Sequence, residues 1–235
     1  MKLFLLLNSL VLSLLGSAWG LLAGTAHFPK DPEDTLQRVQ HSKVLRVGYT
    51  HAEPWVVPSG AEPQGIEPEL VRAFAKKLGA RVAWVAGTEQ HLYQALEEHE
   101  LDLLIAGTTD ESPWKEQVGL TRPYFETAVY VGNAPGVVVG VDIKDQPVAV
   151  PIGTDIGHYV REEDAVPTYH AQLPDGAPLA AGYAWQLRRW GYHNLGIRLK
   201  DESHVMAVPP GENAWLLALE TFLYHSKAQV NQLLR

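Results

Sequence analysis

The chain has 235 residues, 46% hydrophobic and 20% charged, with 19 basic and 27 acidic side chains and no cysteine. Such a composition supports an ordinary globular core, and the length fits one compact unit or two small lobes. The missing cysteines exclude disulfides, thiolate metal sites, a cysteine nucleophile and a lipid-modified cysteine; an acidic balance with no basic run argues against nucleic acid, whose phosphates require Lys and Arg.

Met1-Lys2 leads into the apolar stretch Leu3–Leu15 and then the small residues Gly16, Ser17, Ala18 and Gly20. A basic start, an apolar stretch and small residues form the pattern of a secretory signal peptide. Residues 1–26 are therefore expected to be a leader, cleaved after Ala18, Gly20 or Ala26, with a retained membrane anchor as the alternative. Its removal takes away only Lys2 among charged residues and leaves a net charge of −9. Residues 27–42, with Pro29 and Pro32 among charges, read as a linker or a loosely docked arm.

Val44–Tyr49 alternates as a strand, and His51–Gln64 is loop because Pro54, Pro58, Gly60 and Pro63 interrupt it. Glu67–Gly79 is the clearest helix: Pro68 suits its first turn, Gly79 its C-terminal cap, and Leu70, Phe74 and Leu78 make one apolar face. Arg81–Ala86 is a strand, and Thr88 can cap a helix to about Glu98. Leu101–Ala106 is an apolar run broken only by Asp102, as suits a strand buried on both faces. Gly107-Thr108-Thr109 leaves it, and Ser112-Pro113 can open a further helix.

In the second half, Val129–Val131, Val137–Val141, Pro147–Ile152 and Val205–Val208 read as strands. Helices are expected from Asp155 to Val160, from Pro178 to Trp190, and as a closing pair, Glu212–Leu223 and Ser226–Leu234. Alternating strands and helices imply an α/β fold with largely parallel sheets, and ligand sites in such folds lie at the carboxyl ends of the strands.

Four segments in order, Leu45–Thr50, Gly65–Gly79, Leu101–Thr109 and Thr121–Phe125, resemble the family 3 bacterial extracellular solute-binding proteins. The resemblance runs from about Lys43 to Leu234 and implies a two-lobed periplasmic-binding-protein-like fold of type II. Each lobe would hold a mainly parallel sheet flanked by helices, with Val129–Val131 and Val205–Val208 as the two crossover strands. Lobe one would comprise 43–128 plus 209–235, and lobe two 129–208.

By the same resemblance Trp55 would be the aromatic wall against the ligand, Glu67 the acid opening the first helix, and Gly107, Thr108 and Thr109 a turn offering amides and a hydroxyl. Gly153, Thr154 and Asp155 match the lobe-two turn. The blander readings are a tryptophan shielding loop prolines, a charge favourable at a helix N-terminus and a threonine-rich turn. One position departs: Trp114 stands where the family has an arginine forking onto a ligand carboxylate, and an indole offers a single N–H. Gly182-Tyr183-Ala184-Trp185 also lacks the usual lobe-two acid. A standard amino acid is thus not the expected ligand. Trp55 and Trp114, with Tyr49 or Trp185, would make an aromatic cleft for an aromatic, weakly polar or small cationic molecule.

Ten histidines are scattered without metal-ligand spacing, and no catalytic elbow or phosphate loop is present, so neither metal nor cofactor is expected. The sequence reads as a monomeric periplasmic binding protein rather than an enzyme, taking a small molecule and passing it to an ABC transporter permease or another inner-membrane partner. A dehydratase-like cleft enzyme drawing on His51, Glu53 or Asp110 is the alternative in another class, and an accessory or sensory module is the third.

Overall fold

The computed structural model describes residues 29–60, 62–138, 140, 142–171 and 176–234. The expected leader, 1–26, lies outside them; among the described residues no helix is long and apolar enough to cross a membrane. In chain order the elements are α1 Thr35–Ser42, β1 Val44–Tyr49, α2 Ile66–Leu78, β2 Arg81–Ala86, α3 Glu89–Glu97, β3 Leu103–Ile105, β4 Gly119–Leu120 and β5 Phe125–Asn133. Then follow β6 Pro147–Pro151, α4 Ile156–Glu162, β7 Val166–His170, β8 Leu179–Tyr183, α5 Ala184–Arg189, β9 His193–His204, β10 Ala207–Val208 and α6 Asn213–Leu233.

Two five-stranded sheets carry these elements, ordered β2-β1-β3-β10-β4 and β7-β6-β8-β5-β9. Both are mixed where mainly parallel sheets were expected. In the first, β1 runs parallel to β2 and β3 while β10 is antiparallel to β3 and β4. In the second, β6 runs parallel to β7 and β8 while β5 is antiparallel to β8 and β9. The antiparallel part arises because the chain leaves the first sheet through Thr121–Tyr124 and comes back at Val205, so each sheet receives a returning strand; Thr121 N–H bonds the Met206 carbonyl and Tyr124 N–H the His204 carbonyl, both at 3.0 Å. The expected crossover segments therefore sit inside the sheets: Val129–Val131 within β5 of the second, Ala207–Val208 as β10 of the first.

Apolar side chains fill both faces of each sheet. Leu45, Val47, Phe74, Ile105, Trp215 and Leu219 form the largest core under α2 and α6, while Leu92, Tyr93, Leu96 and Leu104 pack beneath α3 on the opposite face. In the second sheet Val129, Val148, Val150 and Val160 lie on one side and Ala149, Ala180, Leu187 and Tyr192 on the other.

The expected linker 27–42 contains a docked helix. Glu212 accepts Glu33 and Thr35 N–H at 2.9 Å each, and Asp31 accepts Ala214 and Trp215 N–H at 2.7 and 2.9 Å. Each acid thus satisfies the orphan amides at the start of the other's helix, α1 or α6. Leu179–Tyr183 is a strand and not the start of a helix: Leu179–Gly182 is buried, paired with β5 and β6, and a short apolar run carries no period that separates the two. The two closing helices are one, α6; Ser226 bonds its hydroxyl back to the Phe222 carbonyl at 3.0 Å and the helix continues. Ser112-Pro113 opens hydrogen-bonded turns without a helix, and Val137–Val138 lies outside any strand, with 139 and 141 beyond the described residues.

Candidate functional site

The carboxyl end of β3 faces the start of α4, the helix that follows β6, across a cleft of about 370 Å3. From the first sheet come Gly107, Thr108, Thr109 and Glu111; from the second come Asp155 at the start of α4, Tyr159 within it and Lys200 on β9. A ladder edge joins the two sides, with Asp110 N–H on the Ser203 carbonyl at 3.0 Å and Thr109 bridged to His204.

Gly107 has φ 62°, and a Cβ there would lie 2.7 Å from the Trp55 ring and 3.0 Å from the Ala52 Cβ. A left-handed backbone and this close approach both require glycine. Its N–H is directed to Glu67 Oε2 at 3.0 Å, while Tyr124 donates its hydroxyl to Glu67 Oε1 at 2.8 Å. Glu67 is fully buried. Burial raises its carboxyl to about 7, against the lowering effect of the Gly107 and Tyr124 hydrogen bonds. Glu67 is thus the anchor of the turn, a larger role than a helix-terminal charge. Thr108 shares a 3.0 Å hydrogen bond between its hydroxyl and that of Tyr93, which fixes the next step of the same turn.

Lys200 is the centre of charge. Its side chain is 13% exposed, and Nζ lies 3.1 Å from Asp155 Oδ2, 3.4 Å from Glu111 Oε2 and 3.8 Å from Glu202 Oε1, with the Tyr159 ring centre at 4.9 Å. Burial alone would lower the ammonium; Tyr159, Asp155 and Glu202 outweigh it and hold the group above the usual lysine range. Glu202 accepts the Tyr183 hydroxyl at 2.6 Å. Burial pushes the Glu202 carboxyl up, opposed by Tyr183 and Lys200, and burial together with the Glu202 charge pushes the Tyr183 phenol up.

Behind this network His204 is 1% exposed, with its ring centre 3.8 Å from that of Trp55. Neither ring nitrogen has a partner in hydrogen-bond geometry. Burial lowers the imidazole to about 4, against a raising influence of the Gly107 backbone. Among the described residues no group of three or more His, Asp or Glu side chains is arranged to hold a metal ion.

The structure brings together Gly107, Thr108, Thr109 and Asp155 of the residues singled out in the sequence. The rest lie elsewhere. Trp55 is 4% exposed and packed among Tyr124, Phe125 and His204 behind the turn. Tyr49 is 7% exposed, edge-on to Trp84. Trp114 stacks on Tyr93 at 5.1 Å and 10°, on the α3 side of the first sheet. Thr154 bonds its own strand end, hydroxyl to the Pro151 carbonyl at 2.9 Å. Trp185 stacks on Tyr183 and lines a separate groove of about 520 Å3 with Phe125, Arg188 and Ala228. His51, Glu53 and Asp110 are outside the cleft lining.

Sequence reasoning missed Glu111, Tyr159, Tyr183, Lys200, Glu202 and His204. A signal for Lys200, Glu202 and His204 existed. Leu195, Ile197 and Leu199 alternate, as a strand's inner face does, and point to β9 as the carrier of the charged residues that follow.

Comparisons with known proteins fit this geometry. Curated relatives are matched over part of the chain only: membrane-bound lytic murein transglycosylase F of Shewanella baltica is 29% identical over 102 residues, 43% of this chain and 21% of the relative. The Vibrio parahaemolyticus protein of the same name is 30% identical over 108 residues, 45% and 20% of the two. The chain thus spans about a fifth of the length of these relatives. Among solved structures, an ancestral cationic amino acid solute-binding protein superposes with a TM-score of 0.72 at 19% identity, covering 86% of this chain and 98% of that one. A binding component of an ABC transporter from Wolinella succinogenes, complexed with lysine, gives 0.62 at 19% identity over 81% and 94%. An ancestral cyclohexadienyl dehydratase gives 0.60 at 18% over 88% and 95%. These likenesses establish the type II periplasmic-binding-protein fold. The family model for bacterial extracellular solute-binding proteins, family 3, matches residues 45–233, so the chain belongs to that family.

Proposed function

We propose that this protein is a periplasmic receptor that captures a small molecule in the cleft between its two sheets and presents it to a membrane partner such as an ABC importer. One observation carries the reading: the turn that follows β3 on one side, and the start of α4 with Lys200 of β9 on the other, line a single cleft of about 370 Å3. Closure of such halves on a solute is a hinge motion about the strands that join them. The expected leader at 1–26 and the family's extracellular character support the compartment. The ligand is not a standard amino acid, because the cleft holds no arginine fork for a carboxylate and Trp114 is engaged with Tyr93. A thermal-shift screen of metabolites, with mass spectrometry of co-purified molecules, tests the reading. Ligand at 100 times its dissociation constant adds roughly 2.7 kcal/mol of stability. A broad panel without any shift refutes capture and favours an accessory module; micromolar binding of glutamate, glutamine or arginine by calorimetry refutes the exclusion of amino acids.

Glu202 favours a second reading, a cleft enzyme. It is a carboxyl raised by burial, bonded to Tyr183 and beside Lys200, and such perturbed groups mark catalytic sites as well as structural networks. The dehydratase and transglycosylase names among the similar proteins belong to this reading. Turnover of any bound solute, followed by mass spectrometry, separates it from capture.

A further inference from the structure

The charges of the cleft carry the ligand's class. We propose that the cleft takes an organic cation, a primary or substituted ammonium group whose head displaces the Lys200 ammonium from among Asp155, Glu111 and Glu202. This rests on the solute-capture reading and adds to it the sign and chemistry of what is captured.

Three carboxylates stand around one ammonium, at 3.1, 3.4 and 3.8 Å. Among the described residues lining the cleft, Lys200 is the one basic side chain, and it is already engaged. An anionic solute would meet the surplus carboxylates with no free positive group to receive it. A cationic solute finds two open ones, since Asp155 and Glu111 are 56% and 67% exposed at their side chains. These two acids come from opposite sheets, so a cation held between them draws the two sides together, as Lys200 now does. Tyr159 adds a preference that no acid supplies: its ring lies 4.9 Å from Nζ, within the range at which an aromatic face attracts a cation.

An independent observation lies at the third carboxylate. His204 is buried with neither ring nitrogen in full hydrogen-bond geometry: the Gly107 backbone is its near neighbour on one side, and Nε2 stands 3.6 Å from Glu202 Oε2, just beyond hydrogen-bond range. A buried polar group left in this state requires an explanation. A site waiting to be filled supplies one: a ligand ammonium holding Glu202 ionised, with a shift of about half an ångström, gives the ring N–H its acceptor. The cation is an organic ammonium, because it takes the place of an alkylammonium head over the Tyr159 ring and reproduces both its charge and its ring contact.

Lys200 is then a tethered stand-in for the ligand. A tethered group competes at an effective concentration in the millimolar range, so its removal strengthens binding of a free ammonium. The experiment measures binding of n-butylammonium and of succinate, at matched ionic strength, to the full protein, to Lys200→Met and to Lys200→Met/Asp155→Asn. The methionine retains most of the unbranched stem without its charge, and circular dichroism checks the fold of each variant. Expected are roughly tenfold or tighter n-butylammonium binding by Lys200→Met than by the wild type, loss of that gain in the double variant, and no succinate binding. Unchanged or weaker n-butylammonium binding by Lys200→Met overturns the proposal. Succinate binding by the wild type that vanishes in Lys200→Met also overturns it, by making Lys200 an anion receptor, and leaves solute capture standing. If cationic, neutral and anionic solutes all fail with every protein, the capture reading falls and the cation site with it.

Discussion

Glu67→Gln tests the link between the buried carboxyl and the turn that lines the cleft. Glu67 has a folded-state value of about 7, raised from 4.5 mainly by burial. Because the folded value is the higher one, the native state binds the extra proton between these two pH values. Stability is therefore greatest below about 4.5 and falls as pH rises towards 7, the reverse of a salt-bridged carboxylate. With each tenfold change in proton affinity equivalent to about 1.36 kcal/mol, the Glu67 contribution weakens by about 2–3 kcal/mol between about pH 5 and pH 8. Glutamine reproduces the protonated form: its carbonyl accepts the Gly107 N–H and its amide donates to the Tyr124 oxygen. Urea unfolding of wild type and variant at both pH values isolates the effect, since other titrating groups cancel in the difference. The variant gains about 2–3 kcal/mol on the wild type across that range, which for a chain of this size moves Tm by roughly 5–10 °C. Parallel stability curves over the same interval would refute the assignment of the buried titration to Glu67.

Three further outcomes follow from the packing. Gly107→Ala destabilises the fold by about 2–4 kcal/mol in urea titrations, because the new Cβ meets the Trp55 ring at 2.7 Å and the left-handed φ is strained for alanine; a loss under about 1 kcal/mol would show that Trp55 yields freely. Asp102→Asn removes the buried charge that Arg38 and Arg46 contact at 2.8 and 2.6 Å. It costs about 2–4 kcal/mol by the same assay, below the range for a fully buried pair because both arginines are about a third exposed. Trp114→Ala lowers stability by about 1–2 kcal/mol through loss of the Tyr93 stack and leaves solute binding in the cleft unchanged, measured by calorimetry with whichever solute the screen yields.

The first sheet was legible because its signals are local. Leu70 and Phe74 share a helical face, Gly79 caps it in the left-handed conformation, and the apolar run at 101–106 holds a buried strand. The docked helix α1 was not legible, because the acid that caps it is Glu212, 177 positions from Thr35. Strand β8 was misread since Leu179–Gly182 is buried and shows no polar face to set its period. At the candidate site, turn chemistry singled out Gly107, Thr108, Thr109 and Asp155, and all four line the cleft. Large aromatic side chains were expected to wall the cleft, yet burial wins for Trp55 and Tyr49, which fill the core behind it. Lys200 escaped notice because its meaning lies in three carboxylates from two other segments and its own strand.

The strand order of the first sheet sets a sequence of events during synthesis. The strands of the second sheet all fall within residues 125–204, whereas the first places β10, Ala207–Val208, between β3 and β4. Until β10 leaves the ribosome, β3 has one side unpaired and α6 has yet to cover the core of Leu45, Phe74 and Ile105. The later half of the chain is therefore the first able to fold as a unit. The earlier half waits with an apolar strand edge open, the state most exposed to aggregation, and Trp215, seated on the Asp102 carbonyl at 2.7 Å, marks its completion. A nascent chain that has emerged from the ribosome only as far as residue 206 would carry every strand of the second sheet and an incomplete first one.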